Sequence, residues 1–200
     1  MIHRRHRRRS RLPAITLAAL VAVAVAACSS GPAASFDPTG ACTADGRAAG
    51  AYPDLEARVP TTYEGRGPDQ LDSGRHCSET NLGTLASAGI DEVRFAGGAW
   101  DFGGNRAAAL VVFEAPGLTA TQVAEFYAAS ARSANRTQVT GETTPTIAGQ
   151  PAHRLDTMTG DRIQTVVTWP SAEPDVVNVV ITNDLPDPKI EAAVAAFEGR

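Results

Sequence analysis

Residues 3 to 11 hold six arginines and two histidines with no acid, and an apolar run follows from Leu12 to Ala27, broken only by Pro13 and Thr16. The run falls short of the ~20 apolar residues a transmembrane helix needs. It fits the charged and apolar regions of a secretory signal peptide, which is removed before the mature protein folds. The run ends Val25-Ala26-Ala27-Cys28. Small residues there let the chain lie extended in a peptidase groove, with the cut before Cys28. The fold therefore has to be made by residues 28 to 200, in an oxidising compartment.

Small residues directly before a cysteine resemble the lipobox of bacterial lipoproteins. That resemblance implies acyl chains on Cys28 and a lipid anchor on the extracytoplasmic face of the cell membrane. Arg4-Arg5 and Arg7-Arg8-Arg9 lack the flanking pattern of a twin-arginine signal, so general secretion is expected. Loss of the six signal arginines leaves 12 basic against 22 acidic residues, a net charge of −10. That balance argues against nucleic acid, whose phosphates need a basic surface, and against a polybasic membrane patch.

With Cys28 lipidated, Cys42 and Cys77 remain, and in this compartment a disulfide between them is expected. Residues 28 to 41 are small and polar and read as a flexible tether. Residues 42 to 200 read as a single α+β domain. Its part from 42 to 90 is dense in Gly, Pro, Asp and Arg and reads as irregular, pinned by the disulfide, with short helices at 54–58 and 79–88.

From residue 91 the pattern sharpens. Strands are expected at about 92–101 and 107–114, joined by Gly103-Gly104-Asn105 turn chemistry. Thr119 and Gln122 form a capping box, and the following helix carries Val123, Phe126, Tyr127, Ser130 and Ala134 on one face. Four more strands are expected at about 137–147, 151–157, 162–170 and 175–183. In the third, Ile163, Thr165, Val167 and Trp169 alternate and are expected to face the core. Asp187 is expected to cap a last helix, whose stripe Ile190, Val194 and Phe197 would rest on strand residues such as Val177 and Val179. The order describes an antiparallel sheet of about six strands with helices packed on it.

Over residues 107 to 198 this order resembles the PsbP-like superfamily, including LpqN-type lipoproteins of high-GC bacteria. The residues carrying the resemblance are Pro116-Gly117-Leu118-Thr119 leading into the helix, and Ile147 to Leu155 between two strands. Members are mostly non-catalytic assembly factors or binding modules, and no functional residue carries over.

Catalytic and metal constellations are sparse. His76, Cys77 and Glu79 are close in sequence, with Asp69 and Asp72 upstream, but a Cys–His mechanism needs a free thiolate, which a disulfide removes. Cys42, Cys77, His76 and His153 lack zinc-ligand spacing. His153 and Asp156 sit at odd and even strand positions and should point to opposite faces. Ser73, Ser78, Ser87, Ser130 and Ser133 lack a nucleophile-elbow pattern, and no lysine follows the glycines at 97–104 as a phosphate loop requires. Asn135-Arg136-Thr137 matches a common glycosylation sequon. Trp100 and Phe102 flank the glycine-rich hairpin and fit the core better than an interface. No catalytic residue, metal or cofactor is expected. The leading expectation is a non-enzymatic surface lipoprotein that binds a protein partner or an envelope component. A carrier of a lipid or other apolar ligand comes second, and a hydrolase last.

Overall fold

The computed structural model describes residues 36–199. The signal peptide expected over 1–27, Cys28 and the first part of the expected tether lie outside the described residues. Antiparallel pairing joins eight strands into one sheet: β1 (Gly46–Ala48), β2 (Gln70–His76), β3 (Val93–Gly103), β4 (Arg106–Glu114), β5 (Thr137–Thr143), β8 (His153–Thr159), β9 (Arg162–Pro170) and β10 (Val176–Asn183). Between β5 and β8 lies a small separate hairpin, β6 (Thr146–Ile147) and β7 (Gln150–Pro151). The order across the sheet is β1-β2-β3-β4-β10-β9-β8-β5. The α+β class with a large antiparallel sheet is thus as expected, but the sheet holds eight strands where about six were read. β1 and β2 give no apolar alternation to read, because the buried positions of β2 are Ser73, Gly74 and Arg75.

Helices cover both faces. On one lie α1 (Pro53–Glu56) and α5 (Asp187–Ala195), closing a core around Trp100, Leu110, Val167, Trp169 and Val180. On the other lie α2 (Glu79–Leu82), α3 (Thr84–Ser87) and α4 (Ala120–Ser133), closing a second core around Val93, Val123, Leu155, Val166 and Val179. The helix expected at 79–88 is two short ones because Gly83 between them adopts φ +51°, where a helix cannot continue. The capping box of α4 forms as read, with Thr119 accepting from the Gln122 backbone and Gln122 reaching back to the Thr119 N–H.

Coverage of both faces corrects two expectations. Ile163 is 52% exposed at the strand tip, whereas Val166 and Thr168, read as outward, are buried under α4. α5 rests on Val176, Val180 and Trp169, not on Val177 and Val179, which point to the α4 side. Neighbouring strand residues face opposite ways, so an error of one position exchanges the faces. Asp187 is the first residue of α5 and caps nothing with its side chain; its carboxylate pairs with Arg154 at 2.9 Å.

At the β1 end the chain is held by polar and covalent links. The Cys42–Cys77 disulfide is present, with Cα atoms 6.0 Å apart. Buried Arg75 donates to the carbonyls of Asp37, Gly40 and Ala41, and Phe36 packs edge-on against Tyr52. Residues 36 to 41, read as the end of the tether, are therefore fixed to the domain.

Candidate functional site

The sequence-derived candidates do not converge. Cys77 is tied up in the disulfide. His76 stacks on Phe95, with ring centroids 4.8 Å apart, and lies 3.9 Å from the Asp45 carboxylate. Burial holds its pKa below the usual histidine value, against the opposing pull of Asp45. Asp69 serves the backbone N–H of Asp101 and the guanidinium of Arg66, and Asp72 accepts from Gln70. Ser73 is buried between the Tyr52 N–H and the Glu56 carboxylate. His153 stands on β8, five strand spacings from His76 on β2, or about 24 Å. The zinc set is therefore not assembled, and among the described residues no group of three His, Cys, Asp or Glu side chains could hold a metal ion. Trp100 is buried and donates its indole N–H to the Arg66 carbonyl, while Tyr63 packs edge-on against both Trp100 and Phe102. Trp100 belongs to the core, as read, and Phe102 is half-buried and packs against it.

Asp45 organises the disulfide end. Its carboxylate accepts from the backbone N–H groups of Cys77 and Ser78, from the Ser78 hydroxyl and from the Asn81 amide. Partial burial pushes its pKa up, but these donors outweigh burial and hold it at about 2. This is a fastening for the start of α2. Every donor it receives comes from the protein.

A cleft of about 290 Å³ lies at the other end of the sheet, between α4 and strands β5, β8 and β9. Its cause is local composition. α4 places Thr121, Ala124 and Ala128 over Leu155 and Val166, three small side chains at helical spacing, so the helix cannot fill the space above the sheet. His153 enters from β8 and shares a hydrogen bond of 3.2 Å with the Thr121 hydroxyl. Arg154 and Asp156 turn to the opposite face, where Arg154 bridges Asp156 and Asp187. His153 and Asp156 thus form no dyad, as strand parity requires.

At the rim, Glu125 and Glu142 both pair with Arg132, at 3.3 and 2.6 Å. Tyr127 also lines the cleft. Its hydroxyl has no hydrogen-bond partner among the described residues, and burial pushes its pKa well above the usual tyrosine value. Sequence reasoning found the α4 face but missed the cleft, whose signal was the run of small residues on a helix otherwise patterned for packing. No family model matches the chain, and no curated protein matches it.

Proposed function

We propose that the chain is a non-enzymatic lipoprotein, anchored through Cys28 on the extracytoplasmic face of the cell membrane, which binds a protein partner or envelope component through the α4 cleft. The observation that carries this reading is the cleft itself: an apolar floor, free hydroxyl groups, and no carboxylate orienting its histidine. Two features of the disulfide end count against catalysis there: Cys77 has no free thiol and Asp45 accepts from several protein donors. The PsbP-like assignment belongs to the same proposal. It is supported by the order strand, helix, strands, helix from Arg106 to Ala195.

Placement supports it further. The described chain begins at Phe36 beside β1, and the cleft borders β5, at the far edge of the sheet. Seven strand spacings separate these edges, about 34 Å. A tether entering at β1 leaves the cleft free to point away from the bilayer. The carrier reading is less well supported, because the cleft is at the low end of the size range of ligand pockets, too small for a diacyl lipid.

Photo-crosslinking in intact cells tests the proposal. A photoreactive residue at Thr144 should yield a discrete adduct that is lost when Ala124→Leu fills the cleft, and the same residue at Ala49 on the β1 side should yield none. An adduct at Thr144 that survives the filled cleft would refute the proposed site.

A further inference from the structure

We propose that His76 makes the disulfide end of the sheet responsive to protons: its charged ring draws the Asp45 carboxylate from the backbone N–H groups of Cys77 and Ser78 and so loosens the start of α2.

The placement of the ring carries the argument. His76 is the last residue of β2, and its half-buried ring stacks on Phe95 of β3, with centroids 4.8 Å apart and planes at 22°. Its Nδ1 is out of reach of solvent and makes no hydrogen bond, although buried polar atoms ordinarily have a partner. Asp45 Oδ1 stands 3.9 Å from it. That is too far for a hydrogen bond and close enough for a charge on the ring to be felt. The same oxygen accepts from the Cys77 N–H at 2.6 Å and from the Ser78 N–H at 3.0 Å. A neutral ring leaves those two bonds undisturbed. A protonated ring is a donor at both nitrogens, so Nδ1–H then contends with the two backbone groups for one oxygen. The joint that loosens is the one leading the chain from β2 into the helices over the second core.

The charges around the ring decide which state holds at which pH. Asp45 faces it from the loop before β1. Arg47 faces it from β1 and is itself paired with Asp72 of β2 at 3.6 Å. On β3, Arg94 and Glu92 lie on the other face, Arg94 over the Tyr52 ring and Glu92 toward Arg75. α2 begins with Glu79, which is exposed. Burial disfavours the charged ring, as does Arg47, and together they outweigh Asp45, so His76 titrates below the ordinary 6.5. Asp45, held at about 2, stays ionised through that range. The stability contributed by the neutral ring is therefore fully present above 6.5 and is lost as pH falls through the lower folded value.

A pH titration followed by NMR tests the proposal. The mature chain carrying Cys28→Ser is taken from about pH 8 to about pH 4, which spans the histidine range. The imidazole nitrogens of His76 and the amides of Cys77, Ser78 and Asn81 are read together. These amides should move with the ring at one shared midpoint below 6.5. His153, on β8, is the control, and its titration should leave them unmoved. His76→Phe keeps a ring on Phe95 and should remove the transition; His76→Gln replaces it if that variant does not fold. Asp45→Asn should lower the His76 midpoint further, because it removes the charge that favours protonation. Amides that stay fixed while His76 titrates, a transition that persists in His76→Phe, a midpoint at or above 6.5, or an unaltered midpoint in Asp45→Asn would overturn the proposal.

Discussion

Phe197→Ala probes whether the short α5 is held by the sheet. Phe197 is 3% exposed and meets Trp169 edge-on, with ring centroids 5.1 Å apart and planes at 89°. Burying a phenylalanine side chain is worth about 1.5 to 3 kcal/mol, and an aromatic pair in this geometry adds about 0.5 to 1.5 kcal/mol. The cavity left beside Trp169 raises the loss to about 3 to 5 kcal/mol. α5 spans nine residues and cannot persist in isolation, so little can compensate. A domain of this size loses about 2 to 4 °C of Tm per kcal/mol, which predicts a fall of roughly 6 to 20 °C. Urea unfolding of the unlipidated mature chain measures the free energy directly. Ile163→Ala, at 52% exposure, is the internal control and should change stability by no more than about 0.5 kcal/mol. A loss under about 1 kcal/mol for Phe197→Ala with an unchanged m-value would refute the packing argument.

Cys28→Ala should abolish incorporation of a clickable fatty acid and release the protein from the membrane fraction, because anchoring depends on the acyl chains; label persisting on the variant sinks the lipidation proposal. Replacing Cys42 and Cys77 by serine opens a link spanning 35 residues, which should cost about 3 to 4 kcal/mol; before that, intact mass should show no alkylation of the native protein without reductant. Asp45 has a folded pKa held at about 2, below its ordinary value of 3.8. Its contribution is therefore fully present above about pH 4 and is lost as pH falls from there through 2. Asp45→Asn should cost about 1 to 2 kcal/mol at neutral pH, allowing for partial solvent screening, and should flatten stability between pH 4 and 2; an unchanged acid profile would show that the carboxylate carries no net stabilisation.

The half of the chain from Val93 onward was legible because its constraints are local. Gly103, Gly104 and Asn105 all adopt positive φ at the β3–β4 turn, the capping box starts α4, and the strands are bounded by turn residues. The half before it was opaque for a physical reason. The buried positions of β2 are filled by a serine, a glycine and an arginine whose partners lie at Glu56, Tyr52 and Asp37 to Ala41. Such partners are distant in sequence and leave no periodic trace. The disulfide was legible from the cysteine count, given the expectation that the chain is exported and that Cys28 carries lipid. The cleft was not. Thr121, Ala124 and Ala128 read as ordinary helix-forming surface, and only the tertiary placement of α4 over Leu155 and Val166 turns small side chains into missing volume.

The two ends of the sheet are stabilised by different means, and this bears on where a site can be placed. β1 has three residues and its outer neighbour is the chain entering at Phe36, so little apolar area is available there. A disulfide, a buried arginine on three carbonyls and a saturated carboxylate take its place. The Asp45 carboxylate is committed to the start of α2, and Arg75 holds the carbonyls of Asp37, Gly40 and Ala41. At the β5 end, α4 is already held by Val123 and Phe126 against the second core, and its capping box fixes its start. It can therefore leave Ala124 and Ala128 small and the Tyr127 hydroxyl unpaired at modest cost in stability. Among the described residues the fold concentrates its fastenings at the β1 end, beside Phe36, and its unfilled volume at the β5 end.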